Sequence, residues 1–304
     1  MEEIKPAFES NNVAICLSAD DNYVPLLSVT LSSIIENSNP EKNYDIVVLM
    51  TKISDENQVK IRTLVTNHAN FSVRFVNVGP YVFGYNFYTE SDPSNTKFTD
   101  EIYYRVLVPS LMPEYDNVIF LDADLVVLDD IAKLLDEDYS NVLVGAVRDY
   151  EGISNCYGNN YEKTKYRITE LGIKTFDNYF LSGMLVMNIK KFNEQFNVKD
   201  LLNLAVSKNW RQYDQDLFNY LCGDNVKIID AAWNFMEDIY GSYQTLPKPL
   251  FEEFLKSEKN PKIIHFSGSR KPWIKIDSKL NKHFWNYAEK TPFLNELKAL
   301  ENMD

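Results

Sequence analysis

Asn117-Val118-Ile119-Phe120-Leu121-Asp122-Ala123-Asp124-Leu125-Val126-Val127 passes from apolar to acidic and back to apolar. The run Val118 to Leu121 spells a buried strand. In extended backbone, residues i and i+2 face the same way, so Asp122 and Asp124 converge beyond the strand end while Ala123 turns away. Two converging carboxylates repel unless a cation separates them, and hard oxygen ligands suit magnesium or manganese. Strand ends of open α/β sheets are also where ligands bind. The stretch therefore points to a divalent metal holding a phosphorylated substrate. The competing reading is a loop whose acids cap a helix near Ile131, a role that Asp129 and Asp130 fit better. So short a motif carries little specificity by itself, and its neighbours must decide.

Upstream, Val13 to Leu17 predicts a first strand, ended by Ser18-Ala19-Asp20-Asp21-Asn22. Leu27, Leu31, Ile34 and Ile35 recur at helical spacing, and Asn37 to Pro40 stops that helix. Tyr44 to Met50 predicts a second strand, Ser54 to about His68 a helix, and Phe71 to Val78 a third strand. This βαβαβ order implies a parallel sheet with right-handed crossovers. Gly79 to Lys97 reads as a long loop, and Thr99 to Leu111 as a helix closed by Met112-Pro113. Downstream, Val142 to Val147 predicts a strand, and Arg148 to Asn178 is polar, aromatic and irregular. Tyr179 to Ile189 predicts a strand with Ser182-Gly183 inside it, where something approaches closely. Helices at about 198–207 and 213–222 follow, with short strands at Val226–Ile229 and Lys262–His265. Leu280, Phe284, Tyr287, Phe293, Leu297 and Leu300 predict an amphipathic helical tail packed on the domain.

Composition narrows the class. The 304 residues include 19 Tyr and 18 Phe and are 45% hydrophobic, enough for one large core. A net charge of −13 argues against a nucleic-acid surface and requires a metal or a local basic cluster beside any phosphate ligand. Cys16, Cys156 and Cys222 show neither zinc spacing nor a disulfide framework, which suggests a reducing, cytoplasmic setting, with peripheral membrane contact left open. Neither a signal peptide nor a membrane-spanning run is expected.

His265 ends the apolar pair Ile263-Ile264, just before a Gly-containing turn with Arg270 and Lys271. A lone His there is ordinarily a core or turn residue. Joined to two carboxylates, it makes a mixed nitrogen and oxygen site that suits manganese at least as well as magnesium. Gly268 lets backbone N–H groups approach a phosphate, and Lys271 supplies charge. His68 and His283 receive no role.

Taken in order, Ser18-Ala19-Asp20-Asp21-Asn22-Tyr23, Tyr104-Arg105, Leu121-Asp122-Ala123-Asp124, Ser182-Gly183, Gln212-Tyr213-Asp214-Gln215-Asp216 and His265 to Trp273 resemble glycosyltransferase family 8. The resemblance covers about residues 12 to 275. It implies a GT-A fold, α/β and Rossmann-like, with a mostly parallel mixed sheet, flanking helices and a short helical tail. It also implies residues 1–275 as the transferase domain and 276–304 as the extension. Its enzymes retain configuration, so it further implies a hexose moved from a UDP-sugar to a saccharide or a lipid- or protein-linked glycan, with Mn2+ as cofactor and Mg2+ as the alternative. Oligomeric state does not follow from it.

Residue by residue, the resemblance places Ser18, Ala19, Asp20 and Asn22 at uridine and Tyr23 against uracil; a cap for the following helix is compatible. Arg105 matches an arginine between the donor sugar and the D-x-D acids. Asp122, Asp124 and His265 match the metal ligands, and Gly268 and Lys271 the diphosphate clamp. Ser182 and Gly183 match the pair beside the donor sugar, but Leu181 stands where several family members carry Asn, which leaves the sugar's identity open. Asp214 matches a contact to sugar hydroxyls and Gln215 a position beneath the anomeric carbon. A neutral amide is a poor nucleophile, so retention is expected through front-face departure and attack, with the Gln215 carbonyl stabilising positive charge. Double displacement by Asp149 or Asp214 is the alternative. Two other classes compete: a sugar nucleotidyltransferase, which would need a basic Gly-rich loop where residues 18–23 are acidic, and a nucleotide-sugar-binding protein without transferase activity.

Overall fold

Apolar runs become strands β1 (Asn12–Ser18), β2 (Asn43–Met50), β3 (Phe71–Asn77), β4 (Asn117–Leu121) and β5 (Leu125–Val127). Four more follow: β6 (Val144–Arg148), β7 (Phe180–Asn188), β8 (Val226–Ile228) and β9 (Ile263–His265). The computed structural model describes residues 1–89, 99–158, 160–239, 241–273 and 278–300. The end of the expected 79–97 loop and the expected 275/276 boundary lie outside them.

Seven strands form one sheet in the order β3-β2-β1-β4-β7-β6-β8. Strands β1 to β4 run parallel, and β7 lies antiparallel between β4 and β6. Helix α1 (Val24–Glu36) and helix α2 (Asp55–Thr63) follow the first two strands. The strand order reverses between β1 and β4, so a crevice opens beyond Ser18 and Leu121, the carboxyl ends of the two strands. Because β7 is antiparallel, Leu121 pairs with Met184, and Ser182-Gly183 enters that same crevice.

A second, two-stranded sheet pairs β5 with β9 antiparallel, setting Leu125 opposite His265. The open edge of β5 meets α1 rather than another strand. Thr30 Oγ1 accepts the Leu125 N–H at 3.2 Å, Ser33 Oγ accepts the Val127 N–H at 2.9 Å, and Asn37 Nδ2 donates to the Val127 carbonyl at 3.0 Å. These three side chains share one helix face at i, i+3 and i+7 and satisfy backbone groups that burial would otherwise leave unpaired. On the outer side of this ribbon, helices Asn281–Ala288 and Leu294–Leu300 complete an apolar cluster of Val29, Val126, Ile264, Phe266, Phe284, Ala288 and Leu297.

Several elements differ from expectation. Helix α2 stops at Thr63, and the turns to His68 are not helix. Asp100–Leu107 is a 3₁₀ helix that becomes α-helical only over Val108–Leu111. The 148–178 stretch carries two helices, Tyr150–Tyr157 and Tyr161–Thr169, whose N-caps Asp149 and Asn160 accept from Gly152 N and Lys163 N. Both are short, and their patterning is obscured by aromatic residues on the exposed side. Asp130 caps the 3₁₀ helix Ile131–Asp136, leaving Asp122 and Asp124 free of that task.

Candidate active site

The crevice is a cleft of about 670 Å³. Asp122 and Asp124 follow β4 and reach it from its floor, and the β5–β9 pairing brings His265 beside them. His265 Nε2 lies 3.6 Å from Asp122 Oδ2 and 3.4 Å from Asp124 Oδ1. It is buried and has no hydrogen-bond partner among the described residues. On the other side of the ring, Nδ1 lies 3.0 Å from Asn234 Oδ1. With Nδ1–H donating to that amide oxygen, the Nε2 lone pair faces two carboxylates. Three acceptors gathered within 4.8 Å, one of them an orphaned buried nitrogen, form a donor set that fits a divalent cation. Gly183 makes the gathering sterically feasible, since a Cβ there would sit 2.3 Å from His265 Cε1.

Arg105 and Lys271 compensate the remaining charge. Arg105 Nη2 donates to Asp122 Oδ1 at 2.7 Å, and Nη1 donates to the Ser182 carbonyl. The guanidinium is 2% exposed and lies over the Phe120 ring at 4.4 Å. Lys271 Nζ donates to Asp124 Oδ2. Burial alone would raise the Asp124 carboxyl, but the adjoining Lys271 ammonium outweighs it and holds it below the usual carboxylate range. Gly268, at φ +59°, makes the left-handed turn that carries Lys271 back over the cleft.

Across the cleft stands the helix Tyr213–Cys222. Asp214 Oδ2 lies 3.1 Å from Arg105 Nη1, close enough for an ion pair but off the line of a hydrogen bond. Burial pushes the Asp214 carboxyl up to about 6, with Arg105 pulling it down and Asp122 pushing further up. Gln215 Nε2 donates to Asp149 Oδ2 at 2.9 Å and to Tyr179 Oη at 3.2 Å. The amide is thereby oriented, and its carbonyl oxygen has no partner among the described residues. Asp149 Oδ1 is occupied by Gly152 N at 2.8 Å, and burial raises its carboxyl despite the nearby Arg167. Tyr213 sits at φ +48°, unusual for a bulky residue, immediately before these side chains.

At the far end, Ser18, Ala19, Asp20 and Tyr23 line the cleft at the end of β1. Asp20 Oδ1 accepts the Tyr23 N–H at 2.9 Å, so it does steady the start of α1. Asn22 does not line the cleft: it is exposed, and its amide donates to Asp20 Oδ2 at 3.0 Å. Asn22 therefore orients Asp20 rather than facing the cavity. Ala123, Ser182, Gly183 and Leu181 all border the cleft between its two ends.

Other cleft residues went unassigned from sequence. Glu151 and Arg270 bridge the walls at 2.6 Å. Lys163 and Arg167 come from a helix not anticipated, and Trp210 and Arg211 from the turn before Tyr213. Asn234, which orients His265, carries no signal in its surroundings in the chain. Thr99 and Glu101 of the long helical segment also reach the cleft.

The chain resembles General stress protein A of Bacillus subtilis (strain 168), 26% identical over 84% of this chain and 85% of that protein. It also resembles the lipopolysaccharide 1,2-glucosyltransferase of Escherichia coli (strain K12), 24% identical over 87% of this chain and 75% of that protein. Among solved structures, the WbbM bifunctional glycosyltransferase superposes with a TM-score of 0.86 at 29% identity, over 98% of this chain. This chain spans about half (53%) of WbbM's length. The mostly parallel mixed sheet of seven strands with its flanking helices is the GT-A arrangement. The profile of Glycosyl transferase family 8 matches residues 14–277, and the chain is a member of that family.

Proposed function

We propose that the protein is a retaining hexosyltransferase that moves glucose or galactose from a UDP-sugar to a saccharide or glycosylated acceptor. The observation that carries this reading is the placement of two groups across one cleft: the Asp122–Asp124–His265 trio on one wall and the oriented Gln215 amide on the other. Asp122, Asp124 and His265 would hold Mn2+, with Mg2+ as the alternative, and a cation there neutralises a diphosphate leaving group. Asp20 and Tyr23 would hold uracil, with Ser18 and Ala19 at its side, and Gly268 and Lys271 would hold the diphosphate. Arg105, Asp214, Ser182 and Gly183 would surround the donor hexose.

The transfer breaks the bond between the anomeric carbon and the phosphate oxygen and forms one to an acceptor hydroxyl oxygen. The hydroxyl proton passes to the departing phosphate oxygen, so no protein base is required. Gln215 would present its carbonyl dipole to the positive charge that develops between the two events. Both Asp149 oxygens are engaged, and Asp214 is held by Arg105, which favours front-face transfer over double displacement. Leu181 puts an apolar wall beside the sugar.

Thermal shift with UDP, UDP-glucose and UDP-galactose, each with and without Mn2+, tests the assignment. A nucleotide response that requires Mn2+ and disappears in Asp124→Asn is expected, together with slow UDP release from the matching donor. Nucleotide binding without any UDP release, with or without acceptors, would make the protein a binder instead. Silence towards every uridine nucleotide would remove the reading.

A further inference from the structure

We infer that the acceptor is anionic, a sugar bearing a phosphate or carboxylate, and that Lys163 and Arg211 receive its charge. The inference rests on the transferase reading of the cleft and adds the substrate class at its acceptor end.

The argument begins with charge pairing. Asp122 and Asp214 share Arg105, Asp124 has Lys271, and Glu151 has Arg270. Asp149 lies in the field of Arg167. Two cations of the cleft remain, Lys163 and Arg211. Both are exposed, and neither has a carboxylate within ion-pair reach among the described residues. The other two cleft carboxylates, Asp20 and Glu101, are engaged by neutral groups, Asn22 and Tyr23 N–H for the first and Thr51 and Tyr104 for the second, so Lys163 and Arg211 stay open to a ligand.

Neither residue is placed for the stability of its own element. Lys163 lies in the first turn of its helix, with its N–H on the cap Asn160. A cation there opposes the helix dipole, and an anion bound beside it would be favoured. Arg211 is held in place: its guanidinium lies 4.2 Å from the centre of the Tyr166 ring, and its N–H donates to Tyr166 Oη. Lys163 stands three residues before Tyr166 on the same helix face, so the two cations belong to one neighbourhood of that helix.

The location is that of an acceptor. Tyr166 Oη donates to Asp216 on the helix that carries Gln215, and Arg167 follows Tyr166 at Asp149, the partner of Gln215. Lys163 and Arg211 are thus tied through Tyr166 and Arg167 to the side chains around Gln215, whereas Asp20 and Tyr23 come from the end of β1. The donor's own charge is met by Lys271 and the trio, which leaves Lys163 and Arg211 for the second substrate.

The test measures UDP release from UDP-glucose or UDP-galactose with glucose, glucose 6-phosphate or glucuronate added as acceptor. Each rate is divided by the acceptor-free rate of the same variant. The two anionic sugars are expected to reach a given stimulation at concentrations on the order of 10-fold lower than glucose, as for a pair of part-exposed charge-assisted contacts. The advantage should shrink with added salt, and whichever anion leads identifies phosphate or carboxylate. In the double variant Lys163→Ala/Arg211→Ala it should vanish, while Lys163→Arg and the distant control Lys174→Ala should keep it. Equal stimulation by glucose, no stimulation by any of the three, or an unchanged preference in the double variant would overturn the inference. Absence of any uridine-nucleotide binding by the parent, measured before any sugar is added, is instead the failure of the transferase reading itself.

Discussion

A methyl group on residue 183 would lie 2.3 Å from His265 Cε1 and 2.8 Å from Asp122 Oδ2. Gly183→Ala thus forces a ligand side chain out of place, and the expected result is a folded protein, about 1–3 kcal/mol less stable, that needs far more Mn2+ for activity. A metal titration of UDP release checks it. In the proposed transfer, Gln215 would act at a different moment, its contact made chiefly when positive charge has developed, so Gln215→Ala should lower kcat roughly 10–10³-fold while UDP affinity stays as it was. Lost UDP binding in that variant would return Gln215 to a supporting role. Asp214 gives a pH signature. Its carboxyl, pushed up to about 6, keeps a proton that the unfolded chain releases near 3.8. Stability of the chelator-treated enzyme should therefore fall as pH rises through that window, and denaturant midpoints for Asp214→Asn should show a shallower fall. Most of these residues were legible in the chain because each ends a strand or opens a helix, where local pattern is informative. Asn22 was not, since whether a turn side chain faces a cavity or its neighbour depends on rotamer, not spacing.

At the scale of elements, the β5–β9 ribbon matters most. Its inner edge rests on the Thr30, Ser33 and Asn37 side chains, and its outer face on Phe284. Phe284 is 1% exposed and meets Phe266 and Trp273 edge to face. Phe284→Ala should cost about 3–5 kcal/mol and weaken the Mn2+-dependent thermal response, although no atom of Phe284 belongs to the cleft. A variant destabilised to that extent but with an undiminished metal response would show that the ribbon holds its shape without the tail. Sequence patterning found one strand of the ribbon, Lys262–His265, because its apolar run marks burial, and left Leu125–Val127 without an element because three residues are too few to show a period. It could not pair them, because pairing across the chain leaves no local trace. Nor did it find the helices at 150–157 and 161–169, whose caps, Asp149 and Asn160, are ordinary turn residues until the helix is known.

For the whole molecule, the sheet and the ribbon differ in how far along the chain their partners lie. Strands β1 to β4 pair within the first part of the chain, whereas the Asp122–Asp124 segment meets His265 only through β9. Closing so long a loop must wait until its contacts can outweigh the lost chain entropy. During synthesis the N-terminal strands can form early, and the two acids are exposed on them without their imidazole. The active constellation is therefore a late event of folding. A ribosome-bound chain that has passed β4 but not β9 carries the acidic half of the site and lacks the His265 half, so the three side chains can meet only once β9 has been made.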